Sequence, residues 1–399
     1  MLSCPLWAGL VALVGAASAQ GLTAEDAARS ALTHDPVYLS AVAAAEEAQG
    51  QLRAATFLQS NPTISTEVSV VEPRWSASVQ QPISLSGEGL ARHDAALAVV
   101  QAAAFDRQRA ALVVAAEARA AWADLAAAEA RRSLATEALI QAHARRVAIE
   151  ARVAAGDLPE LDARLARLAE AEAALAVVEA QRAVTDARVA LARFVPDAAT
   201  VEVSGSPGDA APDPLGASER ADVLAAERRV DAANAGLRAE RAATLPVVGV
   251  GASVEREGDT TFAGPTLQVT LPLWKANPDG RAAAHAAVSV ARAEAAAAAR
   301  LAEAERVTTR GAASNSRDAR AGLAGDPVAD ALAALDAIDK AEAGGELDPG
   351  SATLLRQQVL DGAMSAISLE QAVVHAELDA LLAASDPALL PPDLREASP

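Results

Sequence analysis

Cysteine and aromatic residues are nearly absent from this sequence of 399 residues. Cys4 is the only cysteine, and aromatic residues make up 2% of the chain, although hydrophobic residues make up 52%. A lone cysteine allows neither an internal disulfide nor a thiolate metal cluster. Large compact cores draw on Phe, Trp and Tyr, whereas Ala, the strongest helix former, supplies much of the apolar content here together with Leu and Val. The composition therefore predicts long packed helices.

Positive charge is also scarce, since 34 Lys and Arg stand against 53 Asp and Glu, giving a net charge of −19. Binding to nucleic acid needs a basic surface that displaces counterions, so we exclude nucleic acid as a partner. The five histidines lack the short spacings of a zinc site. No nucleophile, base and orienting group cluster along the chain. We therefore expect no enzyme activity, no cofactor and no metal site.

The first 19 residues predict a signal peptide for export. Leu6 to Val14 is apolar, and Ala17-Ser18-Ala19 has the small-x-small pattern of a cleavage site, although no Lys or Arg precedes the apolar stretch. A lipoprotein would need a cysteine directly after that stretch, where Gln20 stands instead. We expect an exported protein that is not a lipoprotein, and a buried N-terminal helix is the alternative.

Two pairs of sequence landmarks recur about 190 residues apart. Gln81-Pro82-Ile83 corresponds to Leu271-Pro272-Leu273, and the glycine turn at Gly156 corresponds to the turn at Gly345. This interval predicts a tandem duplication, far longer than a solenoid repeat. The predicted divisions are a signal peptide at 1–19, a first repeat at 20–204, a linker at 205–217, a second repeat at 218–383 and a disordered tail at 384–399.

Each predicted copy contains the same elements in the same order. A helix of middling length comes first, and Thr23 and Ser218 are its expected N-caps. Two strands, a very long helix, a glycine turn and a return helix follow. The expected helices cover 23–58, 89–154 and 160–194 in the first copy, and 218–244, 281–343 and 352–382 in the second. Gly325-Asp326-Pro327 should interrupt the long helix of the second copy.

The four strands are predicted by alternating polar and apolar residues, at 63–70, 75–83, 247–255 and 262–271. Each is about ten residues long, which spans a bilayer as a tilted strand. Four strands cannot close a barrel alone, and open sheet edges in lipid cost several kcal/mol per unpaired group. Three chains would supply twelve strands, whereas a barrel of two chains would be filled by its own side chains.

The order and duplication of these elements resemble the TolC family of outer-membrane efflux factors, over residues 22–382. The segment from Val153 to Asp162 resembles that family's first helical hairpin tip, and Pro62 and Gln81-Pro82-Ile83 resemble its strand-entry and strand-exit prolines. The amino-acid sequence from Gln81 to Gly87 is most similar to that of the heavy-metal (cobalt-zinc-cadmium) efflux branch of the family.

The resemblance implies a mainly α protein with a transmembrane β part. Long antiparallel coiled coils would form a periplasmic α-barrel, and two β-hairpins per chain would contribute to a trimeric 12-stranded barrel in outer-membrane lipid. It also implies a homotrimer that works with a periplasmic adaptor (membrane fusion) protein and an inner-membrane efflux pump, as a passive conduit for small molecules or metal cations. The alternative is an exported periplasmic coiled-coil scaffold without channel activity.

Carried over from the family, the residues that contact the adaptor lie at the two helical tips. They are Ala155, Gly156, Asp157, Leu158, Gly344, Gly345, Glu346 and Leu347. For the glycines, a turn without contact is an equal alternative. The family's aspartate gate is not present, because Ser351 and Leu354 occupy its positions. Glu346 and Asp348 could form an acidic ring at the entrance, although solvated turn acids are the simpler interpretation.

Three aromatic side chains lie in or beside the predicted strands. They are Trp75, Phe262 and Trp274. Aromatic residues concentrate at the interface between a bilayer and water, so these side chains are candidate membrane anchors. Ordinary packing is the alternative.

Overall fold

A computed structural model of the chain describes residues 21–55, 61–69, 74–84, 86–270, 277–322 and 326–395. The chain is mainly helical with one small antiparallel sheet, as predicted. The signal peptide, Pro272 and Trp274 lie outside the described residues. The helices are α1 (Ala24–His34), α2 (Pro36–Ala54), α3 (Glu88–Ala154), α4 (Glu160–Leu191), α5 (Ala221–Ala242), α6 (Pro278–Ala321), α7 (Pro327–Ala343), α8 (Pro349–Ala383) and α9 (Pro392–Arg395).

The first predicted helix is divided in two. Its start is confirmed, because the Thr23 hydroxyl accepts from the backbone N–H of Asp26 at 3.1 Å and both halves of a capping box form. The prediction of one helix over 23–58 is wrong. Asp35 is extended and ends α1, and Pro36 begins α2. Proline disfavours helical backbone in the residue before it, which explains the break.

The predicted cap at Ser218 is also wrong. Helix α5 begins at Ala221, and Arg220 occupies the N-cap position with extended backbone and no side-chain cap bond. The guanidinium of Arg220 pairs instead with the carboxylates of Asp222 and Glu305, the latter at 2.6 Å. Charge contacts therefore hold the start of this helix where a hydroxyl cap was expected.

The long helices follow the predicted bounds closely. Helix α3 continues for 67 residues, on the order of 100 Å at 1.5 Å per residue. The predicted interruption of the second long helix is confirmed, since α7 begins at Pro327 and the Asp326 carboxylate accepts from the N–H of Val328 at 2.9 Å. No helix in the described ranges has the length and apolar character needed to cross a membrane.

The strands form a single antiparallel sheet in the order β1-β2-β3-β4. They are β1 (Thr63–Ser69), β2 (Arg74–Ser84), β3 (Val247–Glu257) and β4 (Thr260–Thr270). Ile64 lies opposite Val79, Val79 opposite Ala252, and Ala252 opposite Pro265. In the described part of the chain, β1 and β4 each pair along one edge only, so both outer edges are open.

The chain divides into two compact units. The helical unit comprises Met1–Asp35, Leu112–Ala217 and Val307–Pro399, and the sheet unit comprises Pro36–Ala111 and Ser218–Arg306. Helices α3 and α6 each contribute residues to both units. Each unit draws on both predicted copies, and the duplication itself stays a prediction.

The centre of the helical unit is built around Trp122 of α3. Its indole is fully buried, and Nε1 donates to the carbonyl oxygen of Leu22 at 2.8 Å. One turn earlier, the buried guanidinium of Arg119 donates to the carbonyls of Ala210 at 3.2 Å and Leu389 at 3.1 Å. Burial lowers the pKa of Arg119 to about 10. These two side chains fasten the N-terminal, linker and C-terminal segments to one helix.

The predicted disordered tail at 384–399 is wrong for its described part, which ends at Arg395. Ala388, Leu389 and Leu390 are buried. The buried carboxylate of Asp386 accepts from the backbone N–H of Gly216 at 3.0 Å and of Ala388 at 2.9 Å. The prolines of this segment suggested a coil, but burial of its short apolar run stabilises a packed conformation.

Candidate functional site

The two predicted tips are the same backbone motif. In the first, Gly156 has φ of +85° and Asp157 donates its N–H to the Arg152 carbonyl at 2.9 Å. In the second, Gly345 has φ of +76° and Glu346 donates to the Ala341 carbonyl at 2.9 Å. The glycine N–H of each turn bonds three residues back, to Val153 at 3.0 Å and to Glu342 at 3.1 Å. Both turns are therefore Schellman motifs, which end a helix at a left-handed glycine.

The remaining predicted tip residues differ in exposure. Ala155 and Gly344 are exposed, as are the acids Asp157 and Glu346, whereas Leu158 and Leu347 are half-buried. Each leucine directly follows the acid of its turn. The two tips thus present a glycine, an acid and a leucine in the same order on the same backbone geometry.

Asp348 caps the helix that follows the second tip. Its carboxylate accepts from the backbone N–H groups of Gly350 and Ser351, both at 3.0 Å, and from the Ser351 hydroxyl. The hydroxyl bond and these backbone bonds hold the pKa of Asp348 below its ordinary value. The carboxylate is therefore ionised at neutral pH and already serves as an N-cap.

Alanine substitutions at the second tip test which of its two glycines the turn requires. Gly345→Ala places a side chain in the left-handed region and should destabilise the turn by about 1 kcal/mol. Gly344→Ala is the comparison variant, because Gly344 has helical backbone with φ of −75°; its new Cβ would lie 3.3 Å from the Lys340 carbonyl oxygen, so we expect a loss smaller than that at Gly345. Thermal unfolding of both variants checks this. Equal losses at the two positions would contradict the assigned turn.

A charged network near the second tip was not predicted. The Arg356 guanidinium of α8 pairs with Asp339 and Glu342 of α7, the latter at 2.6 Å. Arg145 of α3 donates to the Thr353 hydroxyl of α8. The Arg145–Thr353 bond joins residues about 200 positions apart in the sequence, whereas the Arg356 pairs join the neighbouring helices α7 and α8.

A second charged network joins the two helices of the first hairpin. Arg146 of α3 pairs with Glu150 on its own helix at 2.6 Å and with Glu170 of α4. Arg167 of α4 pairs with Glu150 at 2.7 Å, and the ring of His143 lies 2.7 Å from Glu170. Helices α3 and α4 are therefore joined by ion pairs of their own, separate from the contacts of α3 with α8.

The sheet has two chemically different faces. The register places thirteen apolar side chains on one face: Ile64, Val68, Trp75, Ala77, Val79, Ile83, Val248, Val250, Ala252, Val254, Ala263, Leu267 and Val269. Much of this face is bare, since Val68 is 74% exposed and Leu267 72% exposed. Pro265 lies on the same face of the sheet. The polar residues that interrupt this face are Thr66, Gln81, Arg256 and Thr261.

The opposite face of the sheet is mostly polar. It carries Ser, Thr and Gln side chains, and the hydroxyls of Ser65 and Ser78 lie 2.8 Å apart. Near the strand ends, Arg74 pairs with Glu255. Phe262 lies opposite Glu255 and therefore belongs to this polar face, whereas Trp75 belongs to the apolar one. The two candidate anchors in the described strands thus point in opposite directions.

Helix α4 also has two opposite apolar sides. One side is buried within the helical unit and consists of Ala163, Ala166, Ala180, Val184 and Leu191. The other is exposed, and we call it the α4 stripe: Leu161, Leu165, Leu168, Leu175, Val178 and Val189. Leu161, Leu168 and Leu175 repeat every seven residues and are about 60% exposed. This is the spacing of a coiled-coil seam.

No group of three or more His, Cys, Asp or Glu side chains in the described residues has the geometry to hold a metal ion. Besides the charged networks, three kinds of surface stand out: two exposed tips, one exposed apolar sheet face with open edges, and one exposed helical stripe.

No protein-family model and no curated protein matches the chain. Solved structures do. The open-state outer membrane channel MtrE of Neisseria gonorrhoeae matches with a TM-score of 0.73 at 20% identity, over 92% of this chain and 90% of that one. A membrane protein from Pseudomonas aeruginosa matches at 0.73 and 19%, over 90% and 93%. The outer membrane protein VceC of Vibrio cholerae matches at 0.71 and 19%, over 91% and 96%. The chain has the fold of these outer-membrane proteins.

Proposed function

We propose that three copies of this chain form an outer-membrane channel of the TolC type, a passive conduit in a tripartite efflux system. The observation that supports it best is the sheet of the sheet unit. One face is apolar and exposed, the other is polar, and both edges are open. In water such a sheet would invite aggregation. In lipid it needs only further strands to complete its hydrogen bonds.

Neighbouring copies supply those strands. Because the four strands alternate in direction, β4 of one copy can pair antiparallel with β1 of the next. Three copies then close a ring of twelve strands, with the apolar faces toward lipid and the polar faces toward the lumen. The hydroxyl-rich face suits a water-filled passage.

The α4 stripe gives independent support for assembly. Its leucines are exposed in the single chain, on the side of α4 opposite the side that packs within the helical unit. A second copy that covers the stripe would remove six large apolar side chains per chain from water. Burial of each leucine is worth about 2 kcal/mol. The same trimer would therefore extend the conduit away from the membrane as an α-barrel.

The two tips are the proposed docking points for a periplasmic adaptor, which connects the conduit to an inner-membrane pump. Their shared geometry presents Leu158 and Leu347 beside Asp157 and Glu346 at the ends of the helical hairpins. Glu346 is the better candidate for an acidic entrance ring, because the Asp348 carboxylate is engaged as a helix cap. We propose small molecules or metal cations as the cargo. The heavy-metal branch rests only on the sequence from Gln81 to Gly87.

Membrane extraction tests this proposal. Expressed with its N-terminal segment in a Gram-negative host, the protein should resist washing of the outer membrane with high salt. It should then leave the membrane in mild detergent, with a native mass of three chains. A monomer or dimer released by salt alone would contradict the channel and leave the periplasmic scaffold as the better account.

A further inference from the structure

The contact between α3 and α8 contains a chain of polar side chains at mid-length. Oδ1 of Asp124 on α3 accepts from two groups of α8, Nε2 of Gln371 at 2.6 Å and Nε2 of His375 at 2.7 Å. Arg131, two turns further along α3, donates to the Gln371 carbonyl oxygen at 2.8 Å and to the Ser368 hydroxyl at 3.1 Å. The side-chain amide of Gln371 is therefore held at both its nitrogen and its oxygen.

This polar segment is bordered by apolar contacts of the same helical unit. On one side α3 presents the buried Trp122, and on the other Leu134 packs with Ala363 of α8 and Ala331 of α7. The side chains of His375 and Asp124 are 41% and 36% exposed. Protons from solvent can therefore reach the ring without disturbing the packing on either side.

We propose that the His375–Asp124 pair is a proton-operated clamp that fastens α8 to α3 in acidic surroundings and loosens it in alkaline ones. Asp124 is acceptor-only when ionised, so Nε2 of His375 must carry a proton in this geometry. A second proton, on Nδ1, turns the contact into a charge-assisted ion pair, which is stronger than the neutral hydrogen bond. Loss of that proton leaves the weaker contact.

The charged groups around the ring favour its protonation. The hydrogen bond to Asp124 raises the pKa of His375, burial opposes this, and the charges of Asp124 and Asp379 add to the rise. For Asp124, burial acts to raise the pKa, but the bonds from His375 and Gln371 outweigh it and lower the value. The charge of Arg131 on α3 also acts to lower the pKa of Asp124.

The other side of α8 is held to α6 by contacts that do not involve a histidine. Arg317 pairs with Glu377 at 2.7 Å, and Arg320 pairs with Glu370 at 3.4 Å. Arginine stays charged throughout the physiological range. Proton loss from His375 therefore weakens the contact of α8 with α3 while these two pairs persist.

The sign of the pH dependence follows from linkage. A histidine whose pKa is higher in the folded protein contributes its full stabilisation below its ordinary pKa of about 6.5. That contribution is lost as the pH rises through the higher folded value. The Asp124 contribution is lost only at acidic pH, below the ordinary aspartate value. The clamp is therefore strongest at weakly acidic pH and weakens as the pH rises above about 6.5.

Hydrogen exchange of the full chain in mild detergent tests the clamp. Protection of the amides in 364–380, corrected for the intrinsic pH dependence of exchange, should fall about fivefold between pH 6 and pH 9, as expected for a half-exposed ion pair. His375→Gln keeps a donor for Asp124 but cannot titrate, so its protection should not change with pH. His285→Gln, at an exposed position of α6, is the matched control and should retain the fall.

Asp124→Asn provides a second, independent arm. It preserves the size of the side chain and removes the charge that stabilises the protonated ring, so it should also abolish the fivefold fall. If His375→Gln or Asp124→Asn retained the wild-type pH dependence, the clamp would be refuted. An absence of pH dependence in the wild-type segment would refute it equally.

Discussion

Placing two glutamates in the α4 stripe should make the assembly of three chains easier to dissociate while each chain keeps its fold. In Leu168→Glu with Leu175→Glu, both substituted side chains are already more than half exposed within the chain, so folding loses little. In the proposed assembly, burial of each leucine would contribute about 2 kcal/mol. The two losses together weaken each contact between copies by about a thousandfold. Buried carboxylates without partners would weaken it further.

The native mass in mild detergent measures this outcome. Gln181→Glu is the control, because it adds an acid at an exposed position on the flank of the same helix, away from the six residues of the stripe. We expect the control to remain assembled. If the Leu168→Glu, Leu175→Glu variant dissociated no more readily than the unsubstituted chain on dilution or in added denaturant, the stripe would face solvent and the strand edges alone would join the copies.

Trp122→Ala should give the largest loss of stability of any single substitution considered for this chain. Truncation of a fully buried Trp costs about 3–5 kcal/mol, a large part of the 5–15 kcal/mol that separates folded from unfolded domains. The substitution also removes the indole donor to the Leu22 carbonyl at 2.8 Å, which still accepts from the Ser204 N–H at 3.0 Å. We expect a marked fall in the midpoint of denaturant unfolding.

Two further variants separate packing from hydrogen bonding at this position. Trp122→Phe retains most of the volume and removes the indole N–H, so it should cost about 1–3 kcal/mol. Ser133→Ala, at an exposed position of the same helix, should change stability by less than about 0.5 kcal/mol. A Trp122→Ala variant as stable as Ser133→Ala would contradict the inference that the buried indole contributes strongly to the stability of the helical unit.

The long elements of this fold could be predicted from the sequence because their signals are local. Helix α3 lacks proline and is rich in helix formers, and most residues of the strands alternate between polar and apolar. The break between Asp35 and Pro36 was missed although proline gives a local signal there. The packed segment around Leu389 was missed for another reason. Its stabilisation comes from Arg119, about 270 residues away, which no local pattern reveals.

The tips were predictable for the same reason as the helices, since glycine is the residue that tolerates the left-handed turns at Gly156 and Gly345. The side-chain networks were not. Asp124 and His375 are separated by some 250 residues, and Arg145 and Thr353 by some 200. A single Asp or Arg in an alanine-rich helix forms no sequence pattern that would indicate its hydrogen-bond partner. The packing of α3 against α8 is needed to identify that partner.

Electrical recording from the purified protein in a planar lipid bilayer tests the central claim most directly. The proposed channel predicts discrete current steps of uniform size, because each inserted particle would open one water-filled passage through the membrane. Trimeric protein that is incorporated into the bilayer and yet produces no current steps under any applied voltage would contradict the account.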